Sequence, residues 1–275
     1  MSMFERVRPV VLASGFRSPE GPSFNRQGVL HFVDWDAQVV YQITPTGRVT
    51  PFVNTGGVPT GSKFHRNGHL FVADGTRGIL DISPEGTIRV AASEWQGQRF
   101  RGPNDLVFAP NGDLYFTDPK GSDLDHPIGS VFILRQDGSV ERFAGGFQFP
   151  NGIVFSDDGH TLYLAETFLN RIWAFQLDEN GHERSRRIFT KLEGGLGPDG
   201  MAFGQDGNLY VAHFGKGVVA VINPEGKVIA ELPSGGMKPT NVAFWESSLY
   251  VTEVENGQVV RLDIGVQGQV LYGLS

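Results

Sequence analysis

The sequence lacks cysteine altogether. A disulfide framework, a thiolate metal site and a cysteine nucleophile are therefore excluded. It also lacks any run approaching the roughly 18 apolar residues of a membrane-spanning helix. The first residues, MSMFERVRPVV, carry charges where a signal peptide has its apolar core. We therefore expect a soluble, cytoplasmic protein with no membrane partner.

Positive charge is scarce as well. The chain has 23 lysines and arginines against 30 acidic residues, which gives a net charge of -7, and the basic residues are scattered. This balance argues against nucleic acid or an anionic membrane as a partner, although it allows a small anionic ligand. No glycine-rich phosphate loop leads from a strand into a helix, and no Gly-x-Ser-x-Gly elbow occurs. Nucleotide-binding and serine-hydrolase functions are therefore disfavoured.

What the sequence does contain is a repeat, seen most clearly in residues 103–118 (PNDLVFAPNGDLYFTD). Two apolar runs flank the turn signal Pro110-Asn111-Gly112, a pattern that predicts a β-hairpin. Six such segments begin at prolines 19, 59, 103, 150, 198 and 239, which are 40, 44, 47, 48 and 41 residues apart. That period is typical of propeller blades when the repeating units are strands.

Further strands follow each hairpin. In the first repeat, residues 39–43 (VVYQI) and 48–53 (RVTPFV) are joined by a Pro-Thr-Gly turn, and later repeats keep this pattern. The sequence therefore predicts an all-β fold, a six-bladed β-propeller with four antiparallel strands per blade, formed by one domain over residues 1–275. The N-terminal VRPVVLASGFRSPEG resembles residues 140–152 (VERFAGGFQFPNG), so we expect the N-terminal strand to join the last blade and close the ring. The relation of this strand to the C-terminal QVLYGLS is left open.

The residue after each repeat proline is the first candidate for function. Equivalent positions in a ring of repeats lie on a circle, so these six side chains should face the central channel from one rim. They are Glu20, Thr60, Asn104, Asn151, Asp199 and Thr240. Four are carboxylates or amides, the oxygen donors that a hard divalent cation binds. The alternative is that Pro-Asn-Gly and Pro-Asp-Gly simply form turns, as we expect for Asn111, Asp158 and Asp206 at the hairpin tips of the opposite rim.

A second ring of polar residues ends the second strand of each repeat, one strand further from the axis. Its members are Asp34, Asp74, Asp118, Glu166, His213 and Glu253. We interpret the acids as acceptors of hydrogen bonds from neighbouring backbone. His213 replaces an acid in the repeat that carries Asp199, and is a candidate to contact substrate or to orient that carboxylate.

At these residues the chain resembles the SMP-30/gluconolactonase/luciferin-regenerating-enzyme family of six-bladed propellers. The resemblance is carried by SPEGPSF, RGPNDLVFAPNGDLYFTDP, FPNGIVFSDDGHTLYLAET and GPDGMAFGQDGNLYVA, and it covers nearly the whole chain. It implies that Glu20, Asn151 and Asp199 bind a metal ion, with Asp199 catalytic. It further implies that Asn104 lies near the metal or binds substrate, and that an arginine shortly before it, Arg101 or Arg99, contacts substrate.

The resemblance also implies a reaction, the hydrolysis of a small-molecule lactone, most often a sugar acid lactone. One divalent metal ion, Ca²⁺ first and Zn²⁺, Mn²⁺ or Mg²⁺ as alternatives, would act as Lewis acid with Asp199 as general base. Residues 119–129 could form a lid that carries His126 to the substrate. Aromatic candidates for the pocket walls are Trp95, Phe100, Phe147, Phe168 and Phe214. A calcium-dependent phosphotriesterase or arylesterase, or a non-catalytic calcium-binding propeller, remains possible, and the oligomeric state is left open.

Overall fold

The structure is a computed structural model that describes Phe4 and residues 6–273. Strand β1 (Pro9–Ser14) comes first along the chain. Blade 1 contains β2 (Pro19–Phe24), β3 (Leu30–Asp34), β4 (Val39–Ile43) and β5 (Val49–Asn54). Blade 2 contains β6 (Pro59–Phe64), β7 (Leu70–Asp74), β8 (Gly78–Ile82) and β9 (Ile88–Ala92). A small hairpin of β10 (Glu94–Trp95) and β11 (Gln98–Arg99) follows.

The remaining blades repeat the pattern of four strands. Blade 3 contains β12 (Leu106–Phe108), β13 (Leu114–Asp118), β14 (Gly129–Leu134) and β15 (Val140–Phe147). Blade 4 contains β16 (Pro150–Phe155), β17 (Thr161–Glu166), β18 (Arg171–Leu177) and β19 (Glu183–Lys191). Blade 5 contains β20 (Gly197–Phe203), β21 (Leu209–Phe214), β22 (Val218–Ile222) and β23 (Val228–Pro233). Blade 6 contains β24 (Pro239–Trp245), β25 (Ser248–Glu253) and β26 (Gln258–Asp263).

The N-terminal strand closes the ring. Strand β1 pairs antiparallel with β26, from Pro9 opposite Leu262 to Ser14 opposite Gln258, and so becomes the fourth strand of blade 6. Because β1 belongs to blade 6 and the chain continues from it into blade 1, the first and last blades of the chain are thereby joined. The predictions of six four-stranded antiparallel blades and of N-terminal closure are both confirmed.

The C-terminal segment does not compete with β1 for this position. After β26 the chain runs over the rim opposite the repeat prolines, where Gly268 bridges to Gly204 and Gln269 donates its backbone N–H to the carbonyl of Phe203. Further along, the hydroxyl of Tyr272 donates to the carbonyl of Ser156 in the turn between β16 and β17. The segment thus spans from blade 5 to blade 4 across the end of the channel, and the last two residues of QVLYGLS lie outside the described part of the chain.

Aromatic pairs hold neighbouring blades together in a repeating way. The residue three positions before the end-of-strand acid or histidine packs edge-on against a phenylalanine at or near the end of the next blade's innermost strand. The ring centroids are 4.7 to 5.3 Å apart and the interplanar angles are 70° to 90°. The pairs are His31–Phe64, Phe71–Phe108, Tyr115–Phe155, Tyr163–Phe203, Tyr210–Phe244 and Tyr250–Phe24. Such edge-to-face contacts add to apolar burial between the blades.

Two elements were not predicted from the sequence. The β10–β11 hairpin lies between blades 2 and 3, and its Trp95 packs against Phe132 of blade 3 with ring centroids 5.6 Å apart. A one-turn 3₁₀ helix, Thr167–Leu169, follows β17 and ends at Asn170, which has a left-handed backbone. Within the described residues, no helix has the length and apolar character needed to cross a membrane.

Candidate metal and substrate site

The innermost strands present the six post-proline residues to the channel, and an irregularity in each ladder accompanies them. In blades 2, 4, 5 and 6 the pairing register shifts immediately after the proline, as between Pro150 and Ile153, and in blade 1 it shifts one residue later, between Glu20 and Ser23. A bulge of this kind re-aims a side chain that would otherwise follow the alternation of the strand. In blade 3 Asn104 precedes β12, and its backbone N–H bonds to the carbonyl of Thr117.

The glycines of the Pro-Asn-Gly and Pro-Asp-Gly motifs serve close packing. A Cβ atom on Gly152 would lie 2.1 Å from the carbonyl oxygen of Asp199, so only glycine lets blades 4 and 5 approach so closely. Both Pro150–Phe155 and Gly197–Phe203 are strands, so the alternative interpretation of these motifs as turns is wrong. The turn interpretation is confirmed at the hairpin tips, where Asp158, for example, accepts the backbone N–H of His160.

A single cavity of about 390 Å³ brings the four predicted donors together. Glu20, Asn104, Asn151 and Asp199 all line it, together with Thr60 and Thr240 of the same ring and Thr167 of the 3₁₀ helix. The remaining walls are apolar. They are formed by Trp35, Val58, Phe149, Phe168, Leu196 and Phe214.

Three of the four donors carry a buried oxygen that has no hydrogen-bond partner. These atoms are Oε2 of Glu20, Oδ1 of Asn104 and Oδ1 of Asn151. Buried polar atoms are nearly always paired, and an unpaired one costs about 1–3 kcal/mol. Three such oxygens on one cavity, beside the Asp199 carboxylate, are of the chemical type that a hard divalent cation binds. The residues present therefore fit a metal ion at this site.

Neighbouring residues hold the donors in place. Asn241 donates from Nδ2 to Oε1 of Glu20 at 3.1 Å, which leaves Oε2 turned to the cavity. Asn151 donates from Nδ2 to the Thr167 hydroxyl at 3.3 Å, and that hydroxyl donates in turn to the carbonyl of Pro198 at 2.7 Å. The amide orientation of Asn151 is thereby fixed with its oxygen free. Contacts of this kind around a metal cage usually matter for affinity.

The site carries more negative charge than its protein neighbours balance. Burial, followed by the nearby carboxylates of Asp199 and Asp105, raises the pKa of Glu20 well above its usual value. Burial and then Asp105 raise the pKa of Asp199 in the same direction. Lys63, whose ammonium lies 4.0 Å from Oδ1 of Asp105, is the one cation paired with these three carboxylates among the described ion pairs. With all three ionised, a divalent cation would bring the local charge to zero.

The outer ring of acids has the structural role that we inferred. Each acid accepts backbone N–H groups from the segment that enters its blade or from the loop that follows it. Asp34 bonds Arg17 and Ser18, Asp74 bonds Val58, Asp118 bonds Arg101 and Gly102, Glu166 bonds Gln148, and Glu253 bonds Lys238. In blade 5 the side chain is a donor and the backbone is the acceptor, since Nε2 of His213 lies 2.9 Å from the carbonyl oxygen of Gly194.

Three residues predicted to bind substrate do not line the cavity in this structure. His213 is buried against Gly194, and burial lowers its pKa. The side chain of His126 is 72% exposed beside Asp123 in the loop after β13, and Arg101 is exposed, with its backbone N–H bound to Asp118. Their roles toward substrate stay predictions, as does the lid over residues 119–129.

The aromatic predictions divide in the same way. Phe168 and Phe214 line the cavity, whereas Phe147 lies in the core between blades 3 and 4, and Trp95 and Phe100 pack against Phe132. The sequence analysis missed Trp35, Phe149 and Leu196. Trp35 directly follows Asp34 of the outer ring, as Phe214 follows His213, so the register of that ring would have found it. It also missed Asn241 and Asp105. Both occupy the position after the post-proline residue, where blades 1, 2, 4 and 5 have glycine, so a second register comparison would have found them.

Known proteins share this architecture and much of the sequence. A family model described as SMP-30/Gluconolactonase/LRE-like region matches residues 18–255. Diisopropyl-fluorophosphatase of Loligo vulgaris is 30% identical, with 92% of this chain and 91% of the relative covered. Gluconolactonase of Zymomonas mobilis subsp. mobilis is 32% identical, with 92% and 80% covered. The solved structure of XC5397 from Xanthomonas campestris, described as a gluconolactonase, has a TM-score of 0.85 at 27% identity, with 96% and 91% covered. The chain therefore belongs to the SMP-30/gluconolactonase/LRE-like family.

Proposed function

We propose that the protein is a divalent-metal-dependent lactonase whose cage consists of Glu20, Asn104, Asn151 and Asp199. The observation that carries the proposal is the convergence of three unpaired buried oxygens and the Asp199 carboxylate on one 390 Å³ cavity. All four donors are oxygens, which favours Ca²⁺ and allows Mg²⁺, Mn²⁺ or Zn²⁺. Membership of a family that contains a named gluconolactonase supports the same reaction class.

The chemistry follows from the positions of the side chains. When bound, the cation would polarise the lactone carbonyl as a Lewis acid and stabilise the negative charge that develops on its oxygen. Asp199 acts as general base and takes a proton from the attacking water, since its carboxylate faces the cavity beside the other donors. Asn104 either completes the cage or binds the substrate.

The walls of the cavity favour an apolar or aromatic lactone. Among the described residues that line it, none is Lys, Arg or His, and six are apolar. Hydroxyl groups of a sugar acid lactone that face the six apolar side chains would find no donor or acceptor there, at about 1–3 kcal/mol for each group left unpaired. The hydroxyls of Thr60, Thr167 and Thr240 already donate to backbone carbonyls and can only accept from a ligand. An aryl or alkyl lactone has no such penalty. We therefore place a substrate such as dihydrocoumarin ahead of the sugar acid lactone that the family resemblance favours.

The test is acid release in a pH-stat. Chelator-stripped protein is offered dihydrocoumarin, glucono-δ-lactone and one phosphotriester, with Ca²⁺, Mg²⁺, Mn²⁺ or Zn²⁺ restored singly. Metal-restored hydrolysis of dihydrocoumarin, with kcat/KM at least about 10-fold above that for the gluconolactone, is expected from the apolar walls. Faster turnover of the sugar lactone would contradict the preference for an apolar or aromatic lactone. If no substrate is hydrolysed while the metal is bound, the protein is a non-catalytic calcium-binding propeller.

A second candidate is hydrolysis of a phosphotriester on the same cage. It is favoured by the 30% identity to a diisopropyl-fluorophosphatase over 92% of this chain, because the apolar walls would also accept the alkyl groups of such an ester. The two reactions share the metal site and differ in the rate on each substrate. The same panel therefore decides between them.

A further inference from the structure

The ring of interblade aromatic pairs has one exceptional member. At the position three residues before the acid or histidine of the outer ring, five blades have phenylalanine or tyrosine and blade 1 has His31. His31 keeps the edge-on contact to the next blade, with 4.9 Å between its ring centroid and that of Phe64. Its five-membered ring is smaller than the rings that fill the equivalent interblade spaces.

A cavity of about 370 Å³ borders the ring of His31. It is located between blades 1 and 2 and opens on the rim of the hairpin tips, away from the cage. Its interior contains His31, which is 4% exposed, with Gln42 and the apolar side chains of Phe52, Phe64 and Leu70. The volume is within the range of small-molecule sites and suits one or two aromatic rings.

The charge of the cavity is unlike that of the chain as a whole. The described residues that line it include Arg26, Arg66 and His65 and no carboxylate, in a protein with a net charge of -7. Glu85 is close by in the chain, but its carboxylate bonds the Ser83 hydroxyl at the β8–β9 turn and does not line the cavity. Arg66 at the mouth favours an anionic group there.

The interior of the cavity can recognise a hydrogen-bond donor. Nδ1 of His31 lies 3.4 Å from the carbonyl oxygen of Val29, which leaves Nε2 as the free acceptor when that contact carries the proton. The ring of Phe52, which lines the same cavity as Phe64, packs edge-on against His31 with centroids 5.2 Å apart. A flat ring placed here would meet aromatic surfaces that already prefer edge-to-face contacts.

We propose that this gap is a second binding site, separate from the cage, for an aromatic carboxylate whose ring takes the place of the missing tyrosine. The ring packs among Phe52, Phe64 and Leu70, an N–H or O–H of the ligand donates to His31, and the carboxylate lies at the mouth beside Arg66. The site does not depend on the lactonase proposal, because none of these residues lines the cage cavity.

The probe for the test is indole-3-carboxylate, with the uncharged indole-3-carboxamide as its matched ligand. Binding is measured by isothermal titration calorimetry on the full chain. We expect the carboxylate to bind about 5-fold tighter than the carboxamide, the effect of one partly exposed ion pair. The His31→Tyr variant restores the ring of the other blades, and it should fold, lose detectable binding and keep its activity toward lactones.

Further variants separate this site from the cage. Asp199→Asn should bind the probe as the wild type does, whereas loss of binding there would place the probe in the cage and overturn the proposal. Arg66→Gln should bring the ratio of carboxylate to carboxamide affinity toward one. Arg48→Gln should leave this ratio unchanged, because Arg48 is an exposed arginine of blade 1 outside the cavity. Absence of binding up to the solubility limit, or binding that survives His31→Tyr, would also overturn it. If the His31→Tyr variant does not fold, the Arg66→Gln variant decides: an unchanged ratio of carboxylate to carboxamide affinity in that variant would overturn the proposal.

Discussion

Asn241 of blade 6 donates a 3.1 Å hydrogen bond to Oε1 of Glu20 in blade 1. The bond joins the last blade to the first at the level of the cage. Asn241 is itself fixed, since its Oδ1 accepts the backbone N–H of Val242 at 2.8 Å and the residue is fully buried. The contact therefore presents Oε2 of Glu20, the unpaired oxygen, to the cavity.

Replacement of Asn241 by leucine should weaken metal binding without changing any residue of the cage. We expect a loss of about 10- to 100-fold in metal affinity, as is typical for residues that orient metal ligands. The buried carboxylate loses its one side-chain donor, so the free energy of unfolding should fall by about 1–3 kcal/mol. Calorimetric titration with Ca²⁺ and urea unfolding measure the two effects.

The matched control is Asn256→Leu. Asn256 also donates from Nδ2, to the carbonyl oxygen of Gly235, but it is exposed and does not line the cavity. Its loss should change stability by less than about 0.5 kcal/mol and leave the metal affinity unchanged. Equal effects of the two variants would contradict a role for Asn241 in orienting Glu20.

Gly152→Ala tests whether the close approach of blades 4 and 5 shapes the cage. The added methyl would meet the Asp199 carbonyl at 2.1 Å, so the backbone of a cage residue must move. We expect a destabilisation of about 1–3 kcal/mol, typical of overpacking, together with a loss of metal affinity. Gly75→Ala is the control, because its new methyl would be 3.5 Å from the nearest atom. Normal metal affinity in Gly152→Ala would show that the cage tolerates the displacement.

The fold was predictable because the same pattern of strands and turns occurs six times in the sequence. The hairpin pattern, the proline period and the resemblance of the N-terminal strand to residues 140–152 together gave the blades and their closure. The β10–β11 hairpin and the 3₁₀ helix at Thr167 were not predictable, since each occurs once and carries no register to compare.

The site was predictable only where it follows the repeat. Glu20, Asn104, Asn151 and Asp199 share one register, and a ring places one register on one circle. The walls come from loops of different lengths, so the sequence could not show that Phe149 lines the cavity and Phe147, two residues away, packs in the core. Along a continuous strand two such residues would share a face, but β15 ends at Phe147 and Phe149 has a left-handed backbone with φ of 62°, and the sequence does not show where this change of direction occurs.

Asp199→Asn should separate catalysis from stability. The variant keeps the shape of the side chain and loses the base, so we expect kcat to fall by about 10²- to 10⁴-fold. Without metal it should be more stable than the wild type at pH 8, because burial and Asp105 disfavour the carboxylate and an amide carries no charge. Asp206→Asn, at the hairpin tip of the same blade, is the control and should leave turnover unchanged. A near-normal rate for Asp199→Asn would rule out Asp199 as the base.

Removal of the metal should destabilise the protein, because a cation that binds only the folded cage stabilises it by mass action. At a free concentration 100 times the dissociation constant, the gain in unfolding free energy is about 2.7 kcal/mol. Thermal unfolding of chelator-stripped protein at increasing Ca²⁺ measures this gain. The double variant Glu20→Gln, Asp199→Asn should lose it. A transition temperature that does not depend on metal in the wild type would contradict the cage.

His31 should make the protein sensitive to mild acid. Burial lowers the pKa of His31 to about 4 from an ordinary 6.5, so between these values the unfolded chain binds a proton that the folded chain does not. The free energy of unfolding therefore falls as the pH decreases through this window, by up to about 3 kcal/mol from this residue. His31→Phe removes the titrating group and supplies the ring of the other blades.

The difference in stability between wild type and His31→Phe should therefore grow in favour of the variant from pH 7 to pH 4. Urea unfolding at a series of pH values measures this difference, and other acid-sensitive groups cancel because both proteins contain them. A difference that stays constant with pH would show that His31 is accessible to protons in the folded state. The interblade cavity would then be open to solvent at its inner end, and the ring of Phe64 would not exclude water from the imidazole.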